Sequence, residues 1–413
     1  MTKTAAGVVS FEEALGIVLG HAADLAAPAT EVLALLASDD RVLAKAVLAD
    51  RDQPPFDRST RDGFAVRASD FGVGALGVMG QVRAGQQWQG GALEHHAAIE
   101  IMTGAPVPEG ADAVVMVEHV ERADGSIHSR DSRTIRAGEN IVPRGSEARM
   151  GETVLPVGTW IGGAEIALAA ACGYSALSVF QKPRVAIVAT GDELVEIDAA
   201  PEPMQIRNSN SYGLAALVAR AGGLAERLPI ARDQRAELEE IIGRAQSSDL
   251  MLLSGGVSMG EYDLVEGVLQ TLGAEFFFTG AKMQPGKPIV FGRLPATASL
   301  PAQFFFGLPG NPVSTQVTFH CFVEPLLRAM SGAATYSPQF AQATLTEDVK
   351  GKPGLMQILP SRLTSHLAQP EVRLVSWQGS GDLAANARAN CYAVLPPGKE
   401  QFAAGDVITI LLR

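Results

Sequence analysis

The chain has 413 residues, a net charge of −12 and 47% hydrophobic residues, a composition typical of a folded globular protein with roughly two to four domains. Its acidic character argues against nucleic acid as a main partner, because phosphate backbones demand basic surfaces. No apolar run approaches about 18 residues and no signal-sequence pattern is seen, so we expect neither membrane insertion nor export. Three widely spaced cysteines fit a reducing cytoplasm.

The N-terminal segment is rich in Ala and Leu from Ser10 to about Asp50. Apolar residues at helical spacing predict one helix around residues 15–19 and a second around residues 32–36. Ser10 followed by Glu13 is typical of a capping box at the start of the first helix. This segment is therefore predicted to begin an elongated N-terminal domain.

Residues 53–136 have a different pattern, in which short β-like runs alternate with Gly, Pro and Asp turns. The expected strands lie around residues 64–66, 98–102, 113–117 and 126–128, and their spacing predicts a small β-rich domain. Helical spacing returns at residues 164–172. The β-rich domain is therefore predicted to be inserted in an elongated domain made of residues 1–52 and 137–180.

Strand-like and helical patterns alternate in residues 181–331, which predicts a central α/β domain with a mostly parallel sheet covered by helices. The expected strands are residues 185–189, 224–228, 250–253, 275–278, 289–291 and 304–306, and the expected helices are residues 210–221, 234–246, 263–272 and a run through Leu327. Short strand-like runs predict a C-terminal β-barrel of residues 337–413. The expected fold class is thus multi-domain α/β.

The run Ser254-Gly-Gly-Val-Ser258 follows a buried-strand pattern and precedes a helical pattern that starts near Asp263. A strand, a glycine-rich turn and a helix start favour anion binding, because bare backbone N–H groups point outward and the helix N-terminus favours negative charge. Asp263 could hold a divalent metal beside the anion or only cap the helix. The pattern alone leaves both alternatives open.

Three further turns belong to the same predicted domain. Gln284-Pro-Gly-Lys-Pro288 precedes one strand, Gly307-Leu-Pro-Gly-Asn-Pro-Val313 follows another, and Thr190-Gly-Asp-Glu-Leu194 follows a third. Turns at the strand ends of one α/β sheet should converge on one edge, where such folds bind ligands. Lys287 is placed to meet a phosphate as a point charge. No P-loop or dinucleotide-binding fingerprint is present, which disfavours a P-loop NTPase or a nicotinamide enzyme.

These four motifs resemble the molybdopterin-binding domain of the MoeA family of molybdopterin molybdenumtransferases, which includes the gephyrin E domain. Two further motifs extend the resemblance into the N-terminal third. Ser59-Thr-Arg-Asp-Gly-Phe-Ala-Val66 is similar to the family's S-x-x-D-G-[YF]-A-V box, and Met102-Thr-Gly-Ala-Pro-Val-Pro108 is similar to its M-T-G-A-P-x-P box. The resemblance runs in family order from about residue 9 to the C-terminus.

The resemblance implies a set of functional residues. The implied catalytic residues are Asp62, Glu193, Asp263 and Lys287, and the implied Mg²⁺ ligands are Glu193, Asp233 and Asp263. The implied substrate-binding residues are Thr103, Ser254, Gly255, Gly256, Ser258, Lys282, Gly286, Pro309, Gly310 and Asn311. The residue pattern by itself also allows Asp62 to be only a turn residue and Asp233 only a helix cap.

The resemblance also implies an activity and partners. The expected substrates are adenylylated molybdopterin and molybdate, and the expected products are the molybdenum-loaded cofactor and AMP. A homodimer is implied in which the β-rich domain of one subunit faces the α/β domain of the other, and contacts with other enzymes of molybdenum-cofactor synthesis are allowed. Two alternatives are an adenylyltransferase, whose core matches only residues 181–331, and a scaffold protein built on the same domain.

Overall fold

A computed structural model describes residues 7–130, 133–255, 264–364 and 369–413. The architecture is multi-domain α/β, as predicted, with a central α/β sheet, a curled β sheet and a closed β-barrel. Three expected site residues lie outside the described residues: Gly256, Ser258 and Asp263. In the ranges that the structure describes, no helix is long and apolar enough to cross a membrane.

The α/β sheet has six strands, numbered here in chain order. They are β1 Arg184–Ala189, β2 Leu224–Arg227, β3 Leu250–Ser254, β4 Glu275–Phe278, β5 Val290–Leu294 and β6 Gln303–Leu308. Their spatial order is β2-β1-β3-β6-β5-β4. The first four strands in that order are parallel to one another. At the other edge of the sheet, β5 pairs antiparallel with β6, and β4 pairs antiparallel with β5. The prediction of a mostly parallel sheet is confirmed.

Helices cover both faces of this sheet, because successive residues of each buried strand point to opposite faces. Val185 and Ile187 of β1 belong to one buried cluster, and Ala186 and Val188 belong to another. The first face is covered by Phe11–Ala23, Ser209–Arg220 and a run formed by Pro312–Thr318, the π-helical Phe319–Val323 and Glu324–Met330. The second face is covered by Arg235–Ala245 and Leu264–Thr271.

The N-terminal segment packs on the α/β sheet. Ser10 caps the first helix, since its Oγ accepts a hydrogen bond from Glu13 N at 3.1 Å. Phe11 and Val18 on that helix are buried in the cluster on the first face of the sheet. Val8–Val9 pairs in parallel with Gly280–Ala281. This helix is therefore held by the central domain rather than by the segments that follow it.

The helix expected around residues 32–36 is wrong. Thr30–Ala34 is a strand paired antiparallel with Ala176–Phe180, and only the short 3-10 helix Leu35–Ser38 follows it. Alternate residues of the strand are half-buried, so its true period is two. The spacing of its apolar residues suggested a helix. The pairing that makes the segment a strand involves residues far away in the sequence, which local spacing does not show.

The rest of the elongated region is built from short pairs and one helix. Val47–Leu48 pairs with Thr153–Leu155, and Arg58–Ser59 pairs with Ile141–Val142. Gly163–Ala171 is helical, which confirms the helix predicted over residues 164–172.

The β-rich region forms one curled six-stranded sheet. Its spatial order is Ala113–Met116, Gly63–Val66, Ala97–Ile101, Leu76–Val82, Ser126–Ser129 and Val120–Ala123, and the 3-10 helix Val117–His119 joins two of these strands. The four predicted strands are confirmed. Leu76–Val82 and Val120–Ala123 were not predicted.

Five C-terminal strands close into a barrel, as predicted. They are Phe340–Leu345, Met356–Thr364, Glu371–Leu374, Cys391–Leu395 and Val407–Leu412. The ring closes because Met356–Thr364 pairs with both Glu371–Leu374 and Cys391–Leu395. Three small elements accompany the barrel: Val349–Lys350, Leu383–Arg388 and Gln401–Phe402. Met283–Gln284 of the central region adds in parallel to Met356–Gln357.

Candidate substrate-binding site

The carboxyl ends of β1, β3 and β6 meet at one edge of the α/β sheet, the edge where such folds bind ligands. A cleft of ≈ 340 Å³ opens there, lined by Ala189, Thr190, Glu193, Leu194, Ile206, Arg207, Asn208, Ser209, Asn210, Ser254, Gly255, Gly310, Asn311, Pro312, Gly381 and Leu383. The structure thus brings together five of the expected site residues: Glu193, Ser254, Gly255, Gly310 and Asn311. The predicted convergence of the strand-end turns is confirmed for β1, β3 and β6.

Glycine is required at position 255, where two turns approach closely. Gly255 has a φ of +97°, and a Cβ there would overlap the carbonyl oxygen of Thr190. A Cβ on Gly310 would lie 3.7 Å from the Gly255 Cα, so these two glycines lie close together at the end of β3 and in the turn after β6. Backbone groups can therefore approach a ligand here without obstruction by side chains.

Asn210 links the turns that follow β3 and β6. Its Nδ2 donates to Ser254 Oγ at 2.9 Å and to Gly310 O at 2.8 Å. Asn210 lies in the first turn of the helix Ser209–Arg220, whose N-cap Asn208 accepts a hydrogen bond from Ser211 N at 3.2 Å. The helix fixes Asn210, so this one amide holds both turns in a defined relation.

Two buried polar atoms of the cleft lack a hydrogen-bond partner among the described residues. They are Thr190 Oγ1 and Asn208 Nδ2, on residues that are each 2% exposed. An unpaired buried polar group costs about 1–3 kcal/mol. Both atoms have almost no accessible surface, so a ligand in the cleft would reach them only after a local rearrangement.

Of the two acids in the turn after β1, only Glu193 lines the cleft. Asp192 Oδ1 instead accepts a hydrogen bond from Asp233 N at 3.2 Å, and Arg232 Nη1 donates to Asp192 O at 2.8 Å. The helix-cap alternative for Asp233 is not observed, because the helix has Gln234 as its N-cap. Asp233 therefore lies next to the acidic turn, outside the cleft lining.

The expected Mg²⁺ ligands are only partly within the described residues. Across residues 7–130, 133–255, 264–364 and 369–413, no three His, Cys, Asp or Glu side chains are grouped as a metal site. Mg²⁺ sites in enzymes commonly use one or two carboxylates together with water and substrate phosphates, and of the expected ligands within the described residues, Glu193 and Asp233, only Glu193 lines the cleft. The described residues alone do not form the metal site, and Asp263 lies outside them.

Lys287 and Lys282 lie beside the cleft rather than in its lining. Val290, at the start of β5, pairs with Gly307 near the end of β6, so the turn before β5 lies at the same edge of the sheet. Both lysines are exposed and are placed to meet a ligand that extends beyond the cleft. Five expected site residues in the described part of the central domain do not line the cleft: Asp233, Lys282, Gly286, Lys287 and Pro309.

Asp62 and Thr103 form an exposed pair on the curled sheet. Thr103 donates to Asp62 Oδ1 from its backbone N–H at 2.7 Å and from its hydroxyl at 2.9 Å. These bonds, the backbone one first, lower the pKa of Asp62, so its carboxylate is ionised at neutral pH. In the described part of the chain, no residue of 53–136 lines the cleft. Within one chain, the Asp62–Thr103 pair therefore lies outside the cleft.

Sequence reasoning missed several residues of the cleft. The run Asn208-Ser209-Asn210 precedes a helical pattern, and Asn is a preferred N-cap residue, so this signal could have identified Asn208. No local pattern connects Gly381 or Leu383 with the cleft. They reach it because the barrel packs on the helix that follows β6, where Val313 N donates to Ser380 O at 3.0 Å.

Three family profiles match the chain in order. Residues 9–173 match the MoeA N-terminal region (domain I and II), residues 186–329 match a probable molybdopterin binding domain, and residues 342–412 match the MoeA C-terminal region (domain IV). Most of the cleft lies in the second region. The fold and the cleft thus define a multi-domain protein built around a domain of the molybdopterin-binding type.

Known relatives cover almost the whole chain. The molybdopterin molybdenumtransferases of a Nostoc species and of Staphylococcus aureus are each 34% identical to it, over 92% of this chain and 88% and 90% of those proteins. The crystal structure of the molybdopterin biosynthesis MoeA protein from Pyrococcus horikoshii OT3 has a TM-score of 0.77 at 28% identity, and the match covers 98% of this chain and 100% of that one. The chain belongs to the MoeA family of molybdopterin molybdenumtransferases.

Proposed function

We propose that the protein is a molybdopterin molybdenumtransferase that inserts molybdenum from molybdate into adenylylated molybdopterin and releases AMP, in molybdenum-cofactor biosynthesis. The observation that carries the proposal is the cleft at the edge of β1, β3 and β6. It is lined by polar residues that include Arg207, Asn210 and Ser254, and most of it lies in the region that matches a probable molybdopterin binding domain.

The cleft supports binding and orientation of phosphate groups. Gly255 and Gly310 line the cleft without side chains, so their backbone groups can approach a phosphate directly. Lys287, beside the cleft, would offset the charge of the phosphoanhydride. Water then cleaves the anhydride and AMP leaves. The two dithiolene thiols bind the molybdenum of molybdate, and one oxo group departs as water with the two thiol protons. The protein contributes positioning and electrostatics.

We propose Mg²⁺ as the cofactor, with Glu193, Asp233 and Asp263 as its ligands. Bound Mg²⁺ would neutralise phosphate charge. Removal of divalent cations with a chelator should abolish AMP release, and added Mg²⁺ should restore it. AMP release that is unaffected by complete removal of divalent cations would contradict this assignment.

The decisive experiment mixes the purified protein with adenylylated molybdopterin and measures AMP with and without molybdate. We expect AMP release to depend on molybdate. An adenylyltransferase would instead form the adenylate from molybdopterin and ATP, and a scaffold would do neither. The matches outside residues 186–329 favour the transferase. A folded protein without molybdate-dependent AMP release would refute the proposal.

We also propose that the protein is a cytoplasmic homodimer. Its three cysteines, Cys172, Cys321 and Cys391, are buried and unpaired, which suits a reducing compartment. A homodimer is supported by the position of Asp62 and Thr103 outside the cleft of their own chain, because a partner subunit could bring them to it. Contacts with other enzymes of molybdenum-cofactor synthesis stay a prediction.

A further inference from the structure

A second cavity, of ≈ 660 Å³, lies on the curled β sheet and belongs to no site described above. Its volume is within the range of pockets that hold drug-sized ligands. Phe56 and Trp88 line it together with the chain segment from Pro106 to Pro108. The cavity therefore combines two aromatic rings with a rigid proline-containing wall.

Trp88 is held in a fixed position. A Cβ on Gly80 would lie 2.7 Å from Trp88 Cζ3, and a Cβ on Gly90 would overlap the indole. The ring thus rests against two glycine backbones, and it also packs on the buried cluster that contains Ile99. A ring fixed in this way offers a flat surface to a ligand, and little side-chain entropy is lost when the ligand stacks on it.

The cavity also offers free hydrogen-bonding groups. They belong to Gln86, Gln87 and Glu109, which line the cavity beside the aromatic ring of Phe56, a residue that is 38% exposed. Among the described residues these three polar side chains have no hydrogen-bond or ion-pair partner. Glu109 accepts hydrogen bonds and repels phosphate. Flat apolar walls with amide and carboxylate groups suit a planar, nitrogen-containing ring that carries amino groups.

We propose that this cavity binds the planar heterocycle of the substrate, a fused two-ring nitrogen base with an exocyclic amino group. Adenine and pterin share this chemistry. The inference rests on the proposed function and assigns the heterocycle to the curled sheet and the phosphates to the cleft. The Pro106–Pro108 wall continues directly from the loop of Thr103, and Val107 N donates to Asp57 O at 2.8 Å. The loop of residues 103–108 therefore contributes both to the Asp62–Thr103 pair and to one wall of the cavity.

The fluorescence of Trp88 can be measured alone, because the chain has three tryptophans and the other two can be replaced. In the full-length variant W160F/W377F, Trp88 is the only fluorophore of this type. Titration with AMP or with pterin, whichever base the cavity binds, should quench its fluorescence in a saturable manner, and ribose 5-phosphate, which lacks a base, should not. The matched variant W88F/W377F retains only Trp160, whose Nε1 donates to Asp40 Oδ1 at 2.9 Å, and should show no saturable quenching.

Calorimetry on the otherwise unaltered protein separates the two sources of the heterocycle. Trp88→Leu should weaken binding by about tenfold or more, since a base stacked on an aromatic side chain contributes that much, and Trp88→Phe should retain most of it. Trp88-dependent binding of AMP assigns the cavity to adenine, and Trp88-dependent binding of pterin assigns it to the pterin ring.

Binding of neither compound, or equal binding by wild type and Trp88→Leu in folded protein, overturns the proposal. Neither readout uses molybdate or turnover. Failure here would therefore leave molybdate-dependent AMP release unaffected, and loss of that activity in the wild type would not by itself remove Trp88-dependent binding.

Discussion

Asn210 sets the spacing of two ligand-facing turns through a single amide group. Its Nδ2 is shared between Ser254 Oγ, at the end of β3, and Gly310 O, in the turn after β6. Ser254 and Gly310 both line the cleft. A small change in the turns should therefore affect binding more than it affects folding.

We predict that Asn210→Ala weakens binding of adenylylated molybdopterin by about 1–2 kcal/mol, roughly 5- to 30-fold, because two hydrogen bonds are lost. The thermal midpoint should fall by only a few degrees. Asn210→Asp is the matched control for shape: it retains the size of the side chain but has no donor for Gly310 O, and it should be at least as defective. Wild-type affinity in either variant, measured by titration, would refute this role.

For Lys287→Ala we expect weaker binding of the same substrate by about 1.5–3 kcal/mol, since one charge-assisted contact is lost. The fold should be unchanged, because the lysine side chain is exposed. Added salt should reduce the difference between variant and wild type. Lys350→Ala, at an exposed lysine of the barrel region, is the control and should bind normally. Unchanged affinity in Lys287→Ala would remove this residue from the site.

Glu193 and Asn210 show which individual site residues could be predicted from the sequence and which could not. Glu193, Ser254 and Gly255 could be predicted because each lies at the end of a recognisable strand pattern. The bonds of Asn210 reach residues 44 and 100 positions away, so no local pattern contains them. Whether a residue at the edge of the sheet also lines the cleft depends on packing, and Lys287 lies outside the lining.

The curled sheet depends on a buried carboxylate in one of its loops. Asp70 is 7% exposed and accepts hydrogen bonds from His96 N at 3.0 Å and from Ser69 Oγ at 2.9 Å, while His95 Nδ1 lies 3.0 Å from its Oδ2. The backbone bond from His96, followed by the contacts of Ser69 and His95, lowers the pKa of Asp70 to about 2. His96 has a φ of +58°, so Asp70 also supports an unfavourable backbone conformation just before the strand Ala97–Ile101.

Asp70→Asn should destabilise the curled sheet at pH 7 by about 1–2 kcal/mol, because an amide cannot accept all the bonds that the carboxylate accepts. The pKa of Asp70 is lower in the folded state than the ordinary value of about 3.9. Its stabilisation is therefore fully present above about pH 5 and is lost as the pH falls towards 2. The difference between variant and wild type should disappear over that range.

Amide hydrogen exchange in Gly63–Val66 and Ala97–Ile101 would measure this effect locally. Asp124→Asn is the control, because Asp124 is exposed and has a φ of +48°, a conformation that Asn tolerates. It should exchange like wild type at every pH. Equal protection of Asp70→Asn and wild type at pH 7 would show that the carboxylate is not needed.

Whole elements could be predicted where an apolar run ends at turn residues, and they were missed where glycines or a distant pairing partner obscure the pattern. The strands β1, β3 and β4 lie within a residue of their predicted limits, because each is an apolar run bounded by turn residues. Leu76–Val82 was missed because it contains Gly77 and Gly80 and has mixed burial. The Thr30–Ala34 strand is defined by its pairing with Ala176–Phe180, which local spacing cannot reveal.

At the scale of the whole molecule, the expected functional residues fall on two separate surfaces of one chain. The cleft collects Glu193, Ser254 and Gly310, whereas Asp62 and Thr103 stay on the curled sheet. The proposed homodimer resolves this separation if each site takes the curled sheet of one subunit and the cleft of the other. Mixing two inactive variants tests this proposal directly.

Asp62→Ala and Lys287→Ala should each be inactive alone and should complement when mixed and allowed to exchange subunits. Each mixed dimer would contain one intact and one doubly damaged site, so about a quarter of wild-type activity should return when half of the dimers are mixed. Asp62→Ala mixed with Thr103→Ala is the control, since both changes affect the curled sheet and every site stays damaged. No recovery after verified exchange of the first pair would mean that each site belongs to one chain.

The turn of Lys282 and Lys287 is supported from both ends of the chain. Val8–Val9 pairs with Gly280–Ala281, and Met356–Gln357 pairs with Met283–Gln284. Met356–Thr364 is in turn held in the barrel by Cys391–Leu395. During synthesis, which proceeds from the N-terminus, Val8–Val9 is already available when the turn leaves the ribosome, but the second support is held in place only after the last strands emerge. The lysine turn is therefore completed late in biosynthesis, and a nascent chain stopped before Cys391 can fold its central sheet without completing it.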